Sequence, residues 1–229
     1  QELSRKHDTD TMSTDEVLSA IDEQRELEET QDQRDAGFEL GPDLTNLREW
    51  LRGSWSADVF MAIGGSPNVG KTAYMCKLAY CLAAYNEDVV VIFHTIDDTR
   101  EQVLPRFVCI ANGDCTLTMN QVRTPDYWRD KVDQLDKRRN TGYESLRQLV
   151  LAGRLIIKDI NHGQSLVFAE NLIQFYQDRW PDKRVVYLLD NFHLLSDFPG
   201  KDERIRYKQL SKGCLLYTSD AADELDGVD

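Results

Sequence analysis

Eight residues, Gly65 to Thr72 within the stretch GGSPNVGKTAYMCK, spell G-x-x-x-x-G-K-[ST] and constrain this chain more than any other feature. The pattern works only between a strand and a helix, where several backbone N–H groups can turn inward on one anion. Gly65 and Gly70 supply the freedom and close approach that such a loop requires. The helix opening near Gly70 adds its positive end. The cradle so defined is Gly65, Ser66, Pro67, Asn68, Val69, Gly70, Lys71, Thr72 and Ala73. Lys71 is expected to reach the β- and γ-phosphates of a nucleotide, and Thr72 to put its hydroxyl on Mg²⁺.

The flanking pattern alternates as the loop demands. DVFMAIGG (58–65) reads as a strand running into the glycine turn, and GKTAYMCKLAYCLAAYN (70–86) as a helix. DVVVIFHT (88–95) is a continuous apolar run of the kind a buried parallel strand carries. TREQVLPRFVCIAN (99–112) reads as a helix with Thr99 as N-cap, Gln102 at the capping-box spacing, and Pro105 in its second turn as a source of a kink. Residues 112–150 are polar and mostly helical. RLIIKDI is a strand, SLVFAENLIQFYQDRW a helix, RVVYLLDNFHLL another strand, and DERIRYKQLSK opens a last helix. The order predicts an α/β fold, a mostly parallel sheet with helices on both faces. Upstream, FELGPDLTNLREWLRGSW contains a Gly41-Pro42 turn and a short amphipathic helix.

The net charge of −13 sits in the ends: residues 1–37 carry −8 and residues 214–229 carry −5, which leaves 38–213 neutral. Residues 1–37 read as an acidic, mostly disordered or linker segment with one weak helical patch, TDEVLSAIDEQRELEE. The end CLLYTSDAADELDGVD, 214–229, resembles the translation of an untrimmed sequencing adapter and is expected to be non-native. On that reading 38–213 is a C-terminally truncated domain, and the missing initial Met fits a fragment. Cys76, Cys81, Cys109 and Cys115 form no C-x-x-C pair and read as reduced thiols of an intracellular protein, without a zinc site. No apolar run is long enough to span a bilayer, and no signal-peptide pattern opens the chain.

Three acids are candidates for the chemistry. Asp190 ends the apolar run VVYLLD, where a buried strand would deliver one carboxylate to a metal; the alternative is an Asp that merely starts a turn. Asp97 and Asp98 fall at the C-terminal end of the strand DVVVIFHT, the ligand side of a parallel sheet. One of them would activate water, or both simply favour the helix dipole beside Thr99. Lys137 to Arg139, and Arg204, Arg206, Lys208 and Lys212, are either phosphate contacts or solvated helix faces, the latter being the ordinary case. Trp128, Tyr176 and Trp180 sit at helix positions where packing is the default over base stacking.

The blocks GGSPNVGKTAYMCKLAYCLA, VVVIFHTIDDTREQVLPR and RVVYLLDNFHLL, in that order, resemble the RecA-like motor domain of DnaB-type replicative helicases. The connecting segments LTMNQVRTPDYW and GRLIIKDINHGQSLVFAENLI are similar as well, so the resemblance covers roughly 38–213. It implies a RecA-like phosphate-loop ATPase that binds ATP with Mg²⁺. Lys71 and Thr72 would hold phosphate and metal, Asp190 would support the metal, and Asp97 would stand where the family has its catalytic Glu. His193 would stand where the family has a Gln that senses the γ-phosphate. Asp97 is one methylene shorter than Glu, which leaves Asp98 as a second candidate, and His193 is equally an ordinary strand-end histidine.

The resemblance further implies a homo-oligomeric, usually hexameric ring acting on single-stranded DNA in the cytoplasm of a bacterial or phage-infected cell, without a membrane. The arginine finger and DNA-gripping loops of such motors would follow Gly213. Three rival readings stay open: a RecA-like regulatory or recruitment ATPase, a phosphate-loop small-molecule kinase, and a remnant that binds nucleotide without turnover.

Overall fold

The computed structural model describes residues 18–19, 37–51, 55, 61–66, 68–113, 116–191 and 194–196. The chain divides into two compact units, Gln1–Gly37 and Phe38–Asp229. In the first, Leu18 and Ser19 are helical and exposed. The second carries the α/β architecture.

It opens with one 3₁₀ turn, Pro42–Leu44, and helix α1, Thr45–Trp50, so the Gly41-Pro42 turn and short helix fall where the sequence puts them. Helix α2, Lys71–Tyr85, begins directly on the glycine of the loop, since Gly70 is its left-handed N-cap at φ 96°. Between Thr72 and Tyr85 the chain is Ala, Leu, Met, Cys, Tyr and one Lys, with no β-branched residue to resist helix. Asn86 ends it: its Nδ2 donates to the Leu82 carbonyl at 2.9 Å and to the Glu39 carbonyl at 2.8 Å. The same side chain accepts from the Glu39 amide at 2.9 Å, so the helix end also holds the Phe38–Leu40 segment in the core.

Strand β1, Val89–Thr95, is buried along its whole length. It pairs in parallel with β2, Leu155–Lys158, on one side and with β3, Arg184–Asp190, on the other, giving the order β2-β1-β3. A strand enclosed on both edges and both faces has no use for alternation, which is why VVVIFHT is nearly all apolar. Val89, Val91 and Phe93 belong to the main core with α2 and helix α3, Arg100–Ala111. Phe93 meets Phe107 of α3 edge to face, with ring centroids 5.2 Å apart. Register pairs Phe93 with Leu188 and Thr95 with Asp190, so the Asp190 side chain emerges on the α2 side of the sheet. His94 and Tyr187 lie on the opposite face, their rings 6.0 Å apart.

The polar stretch 112–150 becomes α4 (Met119–Arg123), α5 (Pro125–Trp128) and α6 (Leu135–Leu151). Helix α6 packs on α3 at Gly142, where a Cβ would stand 2.3 Å from the Val108 carbonyl oxygen. Helix α7, Leu166–Arg179, is capped by Ser165, whose hydroxyl accepts from the Phe168 amide at 3.1 Å.

Pro105 lies within the second turn of α3, Arg100–Ala111, where the sequence puts it. Two expectations change. The last strand stops at Asp190 instead of running on to 195, because Asn191 takes the left-handed φ of 66° and turns the chain. The strand expected over 58–65 is not formed at 61–66: Met61 and Ile63 pack on the core and Ala62 faces out, the alternation of a strand, but no ladder joins them to β3. Residues 58–60, the expected helix DERIRYKQLSK and the end 214–229 lie outside the described residues.

Candidate functional site

The site is assembled where the C-terminal ends of β1 and β3 meet the start of α2. Gly65, Ser66, Asn68, Val69 and Gly70 are exposed, so the loop opens to solvent. Asn68 and Gly70 both take left-handed backbone angles, φ 64° and 96°. Such angles alternating with right-handed ones make successive amides converge. Lys71 folds back over the loop, its Nζ donating to the carbonyls of Gly65 at 3.0 Å and Ser66 at 3.1 Å. A Cβ on Gly65 would come within 3.0 Å of the Val69 side chain, which explains the absence of a side chain there. Pro67 and His193 lie outside the described residues.

Asp190 is 2 % exposed, and its Oδ2 is buried with no hydrogen-bond partner among the described residues. Burial raises the carboxyl pKa above the usual range; Asp98 and Asp97 push the same way, while the Thr72 hydroxyl and Arg106 pull it down. A buried acceptor without a donor, beside a hydroxyl and two further carboxylates, is an unfavourable arrangement for a protein alone. A hard cation that takes oxygen ligands would relieve it, so the donor set of Thr72 and Asp190 fits Mg²⁺. Among the described residues no group of three or more His, Cys, Asp or Glu side chains is arranged to hold a metal.

The two adjacent acids have different environments. Asp98 is half-buried and ion-paired, its Oδ2 accepting from Arg106 at 2.9 Å, and its own amide donates to the Thr95 hydroxyl at 3.1 Å. Asp97 is exposed and accepts only one described side-chain bond, from Asn191 Nδ2 at 2.6 Å. Asn191 and Arg106 escaped the sequence reading. The signal for Asn191 was its place directly after VVYLLD, and for Arg106 its being a basic residue early in the helix that follows Asp98.

Other candidates separate from this centre. Arg138 donates to the Thr116 hydroxyl at 3.1 Å, and Arg139 pairs with Asp136 at 3.5 Å. Arg204, Arg206, Lys208 and Lys212 lie outside the described residues. Tyr176 and Trp180 stack on each other at 5.4 Å, and Trp128 packs half-buried against the main core. Cys76 and Cys81 are buried in α2, and burial pushes the Cys81 thiol to about 11; Cys115 is outside the described residues.

A parallel sheet centred on β1, with helices around it and a glycine loop opening α2, is a RecA-like α/β fold. It is similar in particular to one solved ATPase domain, with TM-score 0.68 and 20% identity over 93% of this chain and 69% of that one. It is similar too to a DnaB-like replicative helicase determined with attention to its interactions with primase, with TM-score 0.71 and 20% identity over 93% of this chain and 46% of that one. The chain thus spans less than half of that helicase. No protein-family model matches the sequence, and no curated protein does. No described helix is long and apolar enough to cross a membrane.

Proposed function

We propose that this chain is the ATP-binding and ATP-hydrolysing part of a replicative-helicase-like motor. The observation that carries the reading is the buried, unpartnered Asp190 Oδ2 on the α2 side of the sheet, with Thr72 close by. In this reading Gly65 to Ala73 cradle the triphosphate, and Lys71, kept over the loop by the Gly65 and Ser66 carbonyls, neutralises its charge. Thr72 and Asp190 would hold Mg²⁺, and the ion would supply positive charge to the phosphate oxygens.

Asp97 orients the attacking water and accepts its proton. Asn191 steadies one carboxylate oxygen and leaves the other free. Asp98, engaged by Arg106, keeps the turn in shape. His193 senses the γ-phosphate. Assembly into a hexameric ring, passage of single-stranded DNA, and a cytoplasmic setting belong to the same proposal.

The test is Mg²⁺-dependent ATP turnover by the purified chain, with and without single-stranded DNA. Asn191→Ala is expected to lower kcat about tenfold while the nucleotide Kd stays within twofold. Tight binding with no turnover in the unaltered chain would defeat the hydrolytic reading. Turnover indifferent to DNA would favour a regulatory ATPase.

A further inference from the structure

Each of the three strands in this sheet delivers an aspartate at or just past its C-terminal end, yet the proposed chemistry uses those of β1 and β3 alone. The third, Asp159 after β2, is 3 % exposed. Its Oδ2 accepts from the Arg100 amide, the first amide of α3, at 3.0 Å. Its Oδ1 accepts from the Asn161 amide at 3.2 Å and lies 2.8 Å from His162 Nδ1. These donors outweigh the upward push of burial and hold the carboxyl below the ordinary range. A second strut runs beside it, the Ile160 amide donating to the Asp98 carbonyl at 3.4 Å.

The turn that carries Asp97 is therefore gripped at both ends. On the β3 side Asn191 holds the Asp97 carboxylate; on the β2 side Asp159 holds the helix start three residues further along. A charged acceptor on a helix-start amide makes a stronger bond than a neutral cap. The cap of α3 itself is modest, Gln102 returning its side-chain oxygen to the Thr99 amide at 2.7 Å. Without Asp159, Arg100 keeps no described acceptor for its amide, and the turn between Ile96 and Thr99 is left on its β2 side with the longer Ile160–Asp98 bond.

We infer that Asp159 is a positioning residue for Asp97, setting the turn through the Arg100 amide without touching nucleotide. The inference rests on the hydrolytic reading for its kinetic consequence, and its structural half stands without it.

Two measurements on the full chain test it, with Asp159→Asn as the volume-preserving variant and Asp159→Ala as the stronger one. Amide hydrogen exchange over 97–101 in the nucleotide-free protein is expected to rise at least tenfold, while exchange in β1 and the middle of α2 stays unchanged. With ATP and Mg²⁺, kcat is expected to fall at least tenfold with nucleotide Kd held within twofold, and less in Asp159→Asn than in Asp159→Ala. Unchanged exchange over 97–101, or exchange that rises throughout the sheet, overturns the inference. So does a loss of affinity equal to the loss of turnover. An unaltered chain that binds ATP without hydrolysing it would sink the hydrolytic reading, and the exchange measurement would still decide the role of Asp159 in the turn.

Discussion

Asp190 is the residue at which folding and chemistry disagree. Its pKa is raised in the fold, so the folded chain binds a proton more tightly than the unfolded one, and stability declines as pH climbs from the usual carboxylate range through the raised value. At neutral pH the nucleotide-free protein carries that penalty. Asp190→Asn is therefore expected to raise the melting temperature at pH 7, by roughly 2–4 °C for each kcal/mol relieved, while abolishing Mg²⁺-dependent turnover. A melting temperature that drops instead would mean the carboxylate is not strained.

His94 has the opposite sign. Burial, then His162 and Lys158, hold its pKa down to about 4, while Asp159 pulls it up; its Nδ1 is bonded to the Tyr187 hydroxyl at 2.6 Å. The fold keeps it neutral, so its contribution is complete above pH 6.5 and is lost as pH falls toward 4, about 2 kcal/mol being gone by pH 5. Replacing it by Leu should flatten the stability profile between pH 7 and 5, read by urea titration. At this scale the sequence was readable where a motif fixes spacing, as for the helix start at Gly70 and Lys71. It was mute where a partner arrives from another strand, as for Asp159, since a bond spanning 59 residues leaves no local trace.

The elements were legible wherever one periodicity ran without competition. Helix α2 and strand β1 fall within a residue or two of their sequence limits, because a helical stripe and a fully apolar run each admit one reading. The end of β3 was not legible: apolar residues return past Asp190 at Phe192, Leu194 and Leu195, and the break is a backbone angle at Asn191 that composition does not announce. Met61 to Ile63 were misread for a different reason, since alternation reports packing on one face, whereas a strand also needs an edge to bond to.

The contact between α3 and α6 likewise depends on one position. Gly142→Ala would drive a methyl group against the Val108 carbonyl and is expected to cost about 1–3 kcal/mol, measured by denaturant midpoint. Helix propensity alone would predict a gain of up to about 1 kcal/mol from the same change, so the sign of the effect separates packing from propensity.

For the molecule as a whole, a ligand that binds only the folded state adds stability in proportion to its occupancy. A non-hydrolysable ATP analogue with Mg²⁺ at about a hundred times its Kd should add about 2.7 kcal/mol, a rise of several degrees in melting temperature. Chelating the metal should remove most of it, and Asp190→Asn should not respond to the metal at all. The order β2-β1-β3 carries a separate consequence for how the chain is made. The middle strand leaves the ribosome first, yet its two neighbours begin only at Leu155 and Arg184. Both flanks of Val-Val-Val-Ile-Phe stay bare from Thr95 until Leu155 is made, and one of them until Arg184. A nascent chain stalled before residue 155 should therefore bind a holdase chaperone or clump, and one stalled well past 190 should do neither.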